Sequence, residues 1–130
     1  MAYKVFISST HKDIEVARDL ARRLEEAGVK VFSVDKTAVP GETVSTTVTR
    51  SLRDADEVVV VLTDSSVNNP GIIFEIGAAS GLHKRITPIL VNVEKDQIPP
   101  FVSDYVRFAD VPRYISKLAE RVRGLELQPA

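Results

Sequence analysis

The run NNPGIIFEIGAA, Asn68 to Ala79, sets one carboxylate, Glu75, among residues that are otherwise apolar or small. Burying an unpartnered carboxylate is costly, and Glu is seldom fully buried unless something holds it there. Such a group, offered to a ligand, can stabilise positive charge that develops during a reaction. On a helix, the residues four before and three and four after Glu75 share its face, and here they are Gly71, Ala78 and Ala79. No bulky side chain of that helix covers the carboxylate, so a ligand has room to approach. The competing reading is structural. A Glu near a helix start complements the macrodipole or joins a surface ion pair, and small residues such as Gly77 and Gly81 let a helix pack closely on a sheet.

A second group of polar residues lies in ISSTHKD, where Ser8, Ser9 and Thr10 place three hydroxyls before a helix. Hydroxyls and backbone N–H groups at a helix N-terminus suit an oxyanion such as a diphosphate, although Ser and Thr in this position also serve as plain caps. His11 reads as a solvated first-turn residue rather than a base. No Cys is present, and His11 and His83 stand far apart, so neither a disulfide framework nor a Cys/His metal cage is available. No metal is expected, any cofactor would have to be organic, and no cofactor is expected beyond a substrate. A glycine-rich phosphate loop of either standard type is missing too.

The elements that must position these residues follow from periodicity. YKVFIS (3–8) reads as a strand, and Ile14, Ala17, Leu20, Ala21, Leu24 and Ala27 then recur as one helix face. Thr10, with Asp13 three residues on, reads as the N-cap, and Gly28 as the stop. VKVFSV (29–34) is a second strand, and DKTAVPGET (35–43) a loop punctuated by Pro40 and Gly41. A helix from about Glu42 carries the stripe Val44, Val48, Leu52 and Ala55, and EVVVVLT (57–63) reads as a central strand buried on both faces. The Glu75 helix follows the turn DSSVNNP. ITPILVNV (86–93) and a short YVRFA (105–109) complete the strands, and a last helix starts near Asp110 with the stripe Ile115, Leu118, Ala119 and Val122.

This regular alternation predicts an α/β, flavodoxin-like three-layer sandwich: a five-stranded parallel sheet in the order 2-1-3-4-5 with helices on both faces. At 130 residues the chain fits one domain, expected over 1–124 with 125–130 as a tail or the start of a linker. In such folds ligands sit beyond the carboxyl ends of the strands, which singles out 8–13, 35–43 and 63–71. A receiver domain shares this sheet, but its phosphoryl chemistry needs an acidic cluster after the first strand, where Ser8 and Ser9 stand; only Asp64 fits. The charge balance, 17 Lys plus Arg against 18 Asp plus Glu, argues against a nucleic-acid footprint. No leader-like start or apolar span of membrane length is seen, so the chain reads as soluble and cytoplasmic.

Taken together, VFISSTHKD, VFSVDKTAVPGE, ADEVVVVLTDSS and IIFEIGAA resemble the Toll/interleukin-1 receptor (TIR) domain, particularly its bacterial and archaeal NAD⁺-cleaving branch. The resemblance implies that Glu75 is the catalytic residue. It implies that NAD⁺ is the substrate, positioned by Ser8, Ser9, Thr10 and Asp35 with Phe6 or Phe74 as pocket aromatics. The loop containing Asp35, Lys36, Pro40 and Gly41 looks like the BB loop through which such domains associate. Two positions depart from the pattern: Gly71 stands where an aromatic is common, and Val34 where a basic residue precedes the aspartate. FEIGAA is also similar to the FELG segment of nucleoside deoxyribosyltransferases, which act on another N-glycoside.

Nicotinamide leaves NAD⁺ as a neutral molecule, so one carboxylate near the ribose suffices where O-glycosides need two. The resemblance therefore implies an NAD⁺ glycohydrolase that gives nicotinamide and ADP-ribose or a cyclic isomer. Defence or signalling is the implied setting, with homo-oligomerisation and a fused or separate sensor as partners. Two other readings stay open: a non-catalytic adaptor that acts by homotypic association, and a deoxyribosyltransferase-like enzyme.

Overall fold

The computed structural model describes residues 2–32, 50–99, 102 and 104–127. The expected association loop, with Asp35, Lys36, Pro40 and Gly41, lies outside the described residues, as do Val44 and Val48. Five strands, β1 (Lys4–Ser8), β2 (Lys30–Phe32), β3 (Glu57–Leu62), β4 (Arg85–Leu90) and β5 (Val106–Arg107), form one sheet in the order β2-β1-β3-β4-β5. Every pairing is parallel. The helices are α1 (Ile14–Glu26), a segment α2 over 50–54, α3 (Pro70–Gly81) and α4 (Val111–Glu126). This is the predicted flavodoxin-like arrangement.

The central position of β3 follows from its sequence, since all six of its residues are buried and four are valines that suit a strand covered on both faces. Alternation along it divides the interior. Val59 and Val61 join Val5, Ile7 and Ile89 under α1 and α4, whereas Val58, Val60 and Leu62 join Phe6 and Leu90 under α3, Leu52 and Ala55. The helical stripes read from the sequence supply the facing side chains, Leu20 and Leu24 from α1 and Leu118 and Val122 from α4.

α1 stops where expected. Gly28, at φ +88°, lets its N–H reach the Glu25 carbonyl while the Val29 N–H reaches that of Leu24, which satisfies two carbonyls at the helix end. The same pair of bonds closes α3, from His83 to Ser80 and from Lys84 to Ala79, but there the left-handed residue is His83, at φ +57°.

Three expectations need correction. The last strand is shorter than YVRFA: only Val106 and Arg107 pair with β4, and Phe108–Asp110 turn as a 3₁₀ segment into α4, whose first turn contains Pro112. Thr10 does not cap α1. A 3₁₀ turn over His11–Asp13 intervenes, Asp13 takes the N-cap position, and the Thr10 hydroxyl bonds to the Asp13 carboxylate instead of to a backbone N–H. Close packing of α3 on the sheet involves Ala79, which is buried; Gly77 and Gly81 face outward, and a Cβ at either would meet nothing within 4 Å.

Candidate functional site

Glu75 owes its position to a well-defined helix start. The Asn69 side chain accepts the Ile72 N–H at 3.1 Å and Pro70 occupies the first turn, so α3 is under way before Glu75 is reached. Glu75 thus stands in the second turn, past the reach of the N-terminal dipole, which acts mainly within the first. That removes the dipole explanation offered by the sequence. Its helical face carries Ile72, Ile76 and Ala79 against the sheet, and Glu75 is half-buried beside them.

Opposite it, Ser8 is the last residue of β1, paired with Val60 of β3 and 1% exposed. Alternation along β1 turns Ser8 to the same face as Phe6, toward α3. The Ser8 hydroxyl donates to Oε2 of Glu75. Burial holds the Glu75 carboxyl above its ordinary range, and the Ser8 hydrogen bond partly opposes this by favouring the charged form.

Both residues line a cleft of about 750 Å³, bounded by Phe6, Ser9, Thr10, Ile14 and Val31, with Arg18 and Arg22 also on its wall. Such a volume lies within the roughly 300–1,000 Å³ of small-molecule sites. The described pairing of β1 with β2 ends at Phe6 and Phe32, so Ile7 and Ser8 border the cleft beyond it. The cleft is therefore at the carboxyl end of β1, where parallel α/β sheets bind ligands.

The other proposed ligand contacts divide. Ser9 and Thr10 are half-exposed on the cleft wall. Thr10, however, donates its hydroxyl hydrogen to Asp13 Oδ2 at 2.9 Å and can only accept from a ligand. Phe6 borders the cleft but has no solvent-exposed surface. Phe74, one position from Glu75 and so about a quarter-turn around α3, is 55% exposed and not among the cleft residues. Asp35 lies outside the described residues.

Two polar networks went unnoticed in the sequence. Asp13, 8% exposed, also accepts from the Thr63 hydroxyl at 2.8 Å, and Ser66 bridges that turn by accepting from the Thr63 N–H at 2.8 Å and donating to the Val61 carbonyl at 3.0 Å. This ties the loop after β1 to the loop after β3, so the Ser8–Thr10 segment and the approach to α3 hold a common position. The signal was the cluster TDSS directly after a buried strand, a favourable place for side-chain-to-backbone bonds.

The second network centres on Glu57, fully buried at the opposite end of the sheet. Tyr3 and Thr87 donate to its two oxygens, each at 2.7 Å, Tyr114 donates as well, and Arg121 completes the set at 2.5 Å. Burial, reinforced by the Glu57 carboxylate, raises the Tyr3 phenol to about 12 and pushes that of Tyr114 up as well. No local pattern marks this cluster, because its members come from before β1, β3, β4 and α4.

A doubly covered parallel sheet with a half-buried carboxylate in a cleft at its carboxyl end defines an α/β domain with a candidate ligand site. The sequence model of the TIR domain matches residues 5–122, and the chain belongs to that family. No curated protein sequence matches it. Solved structures share the fold. The TIR domain of the Toll-related receptor TRR-2 from Hydra magnipapillata is 23% identical, with a TM-score of 0.72 over 96% of this chain and 98% of that one. The TIR-STING receptor of C. gigas, in complex with 2′,3′-cGAMP, is 21% identical with a TM-score of 0.72; 88% of this chain aligns with 39% of the receptor. The CMP N-glycosidase BcmB of Clostridium botulinum is 24% identical with a TM-score of 0.60, covering 88% of this chain and 97% of the enzyme. At these identities the likeness is one of fold. Among the described residues no helix is long and apolar enough to cross a membrane.

Proposed function

We propose that this TIR domain is of the NAD⁺-cleaving kind and breaks the bond between nicotinamide and ribose. The observation that carries this reading is Glu75: a half-buried carboxylate, bonded to Ser8 alone among the described residues, on the wall of a cleft large enough for a small molecule. In the reaction the C1′–N bond breaks and its electron pair stays with the nicotinamide nitrogen, which departs neutral. The ribose becomes oxocarbenium-like, and ionised Glu75 stabilises it. Water then adds at C1′ and loses a proton to solvent, giving ADP-ribose, or a nucleophilic atom of the adenine closes a cyclic isomer. Ser9 donates to the diphosphate, and Arg18 and Arg22 add positive charge from α1, although each shares it with neighbouring carboxylates. The N-glycosidase of the same fold supports N-glycoside chemistry in general.

A second reading, a non-catalytic adaptor, is favoured by the outward face of α3, where Ile73 and Phe74 are 37% and 55% exposed. Chromatographic product analysis of NAD⁺ incubated with wild type and with Glu75→Gln at high protein concentration separates the two. Nicotinamide release by wild type alone is expected for the enzyme. Absence of release from both, even when the domain is concentrated, contradicts it and favours the adaptor. Exchange of bases between nucleosides would instead indicate deoxyribosyl transfer.

A further inference from the structure

Ser8 was expected to bind substrate, yet its surroundings leave it little freedom to do so. It is 1% exposed, its backbone is held in the parallel ladder opposite Val60, and its hydroxyl hydrogen goes to Glu75 Oε2. A serine has one hydrogen to donate. While that hydrogen is on Glu75, it is not on a phosphate. Glu75 has no other hydrogen-bond partner among the described residues, so Oε1 is the oxygen left for a ligand. We infer that Ser8 is a positioning residue: it binds Oε2, fixes the carboxylate's rotation, and keeps Oε1 available in the ionised form, without contacting the substrate's phosphates. This rests on the reading of Glu75 as the catalytic carboxylate.

The inference accounts for a conflict in the site. A group that must be charged sits where burial favours its neutral form. The other titratable side chains of the cleft are His11, Arg18, Arg22, Glu25 and Glu26, all from the α1 side, and α3 holds no titratable residue but Glu75. Asp64 stands exposed in the turn before α3. None of these enters the balance on Glu75, which is set by burial and by Ser8. A neutral donor at the end of a rigid strand thus does work that a nearby cation would otherwise do.

The test is a pair of measurements on the full chain with Ser8→Ala, Ser8→Cys as a near-isosteric weak donor, and Ser8→Thr as the variant that keeps the hydroxyl. First, ¹³C NMR titration of the Glu75 carboxyl without substrate should show its midpoint moving further up in Ser8→Ala and Ser8→Cys and returning toward wild type in Ser8→Thr. Second, NAD⁺ turnover should lose about ten- to a hundredfold in kcat with KM nearly unchanged, the scale of one hydrogen bond to a charged group, and its acid limb should move to higher pH. An unmoved carboxyl midpoint overturns the inference, as does a rise in KM with kcat and pH profile intact. The titration decides even if wild type cleaves no NAD⁺, an outcome that would count against the proposed function and not against Ser8 holding Glu75.

Discussion

Among the described residues two glutamates lie inside the α/β layers, one at each end of the sheet, and they are treated in opposite ways. Glu57, at the amino end of β3, is fully buried and meets four donors, including the Arg121 guanidinium. Glu75, near the carboxyl end of β1, is half-buried, has one neutral partner and faces a cleft. The first is what a fold does with a charge it must accommodate: it satisfies every lone pair and adds a counter-ion. The second is left short of partners. On the proposed function, a site that gives a buried charge less than it needs keeps that charge for a ligand. The pairing also shows that burial alone does not mark a functional acid, since Glu57 is the more buried of the two; the count and charge of its partners separate them.

The sharpest way to break this contrast is at Glu57. Glu57→Ala should cost about 3–5 kcal/mol in urea unfolding, because it takes the counter-ion from the half-buried Arg121 and strands three hydroxyls. A loss under about 1 kcal/mol would mean that Arg121 and the hydroxyls reach water easily, and the two ends of the sheet would no longer differ. Next comes the latch between the cleft loops. Asp13→Ala should cost roughly 1–3 kcal/mol and raise the KM for NAD⁺, since it frees the hydroxyls of Thr10 and Thr63 together, while Asp13→Asn keeps one acceptor and should lose less. Equal effects of the two would show that charge, not acceptance, holds the loops. The smallest effect lies away from both carboxylates. His83→Gly at the α3 end should add about 0.5 kcal/mol, the relief of a left-handed residue less the extra freedom of an unfolded glycine, read as a small rise in Tm.

How much of this was legible depended on whether the signal was local. The valine run of β3 and the α1 stripe with its Gly28 stop follow from periodicity within single elements, the strand order from the alternation of strands and helices along the chain, and the structure bears them out. Glu75 was conspicuous because it breaks an apolar run. Its partner was named only as a substrate contact, because the meeting of Ser8 and Glu75 joins residues 67 positions apart. Glu57 drew no notice for the same reason. It heads a β-branched run that reads correctly as a central strand, and nothing nearby says that Tyr3, Thr87, Tyr114 and Arg121 converge on it. The start of α3 is legible in NNP: Asn69 caps and Pro70 opens the helix, which puts Glu75 just past its first turn.

The central claim is that Glu75 is retained at a cost to the fold, and the unfolding free energy of wild type and Glu75→Gln across pH tests it most directly. The carboxyl is raised in the folded state above its ordinary value of 4.5, so the folded protein binds the proton more tightly than the unfolded chain. Any stability that this confers is fully present below pH 4.5 and is lost as pH rises through the raised value. Near neutral pH the charged residue is therefore a burden that glutamine, which still accepts from Ser8, does not carry. The expected result is that Glu75→Gln equals or exceeds wild type in stability at pH 7, with the gap closing toward pH 4.5. A variant clearly less stable than wild type at neutral pH would contradict the account and make Glu75 a structural residue like Glu57.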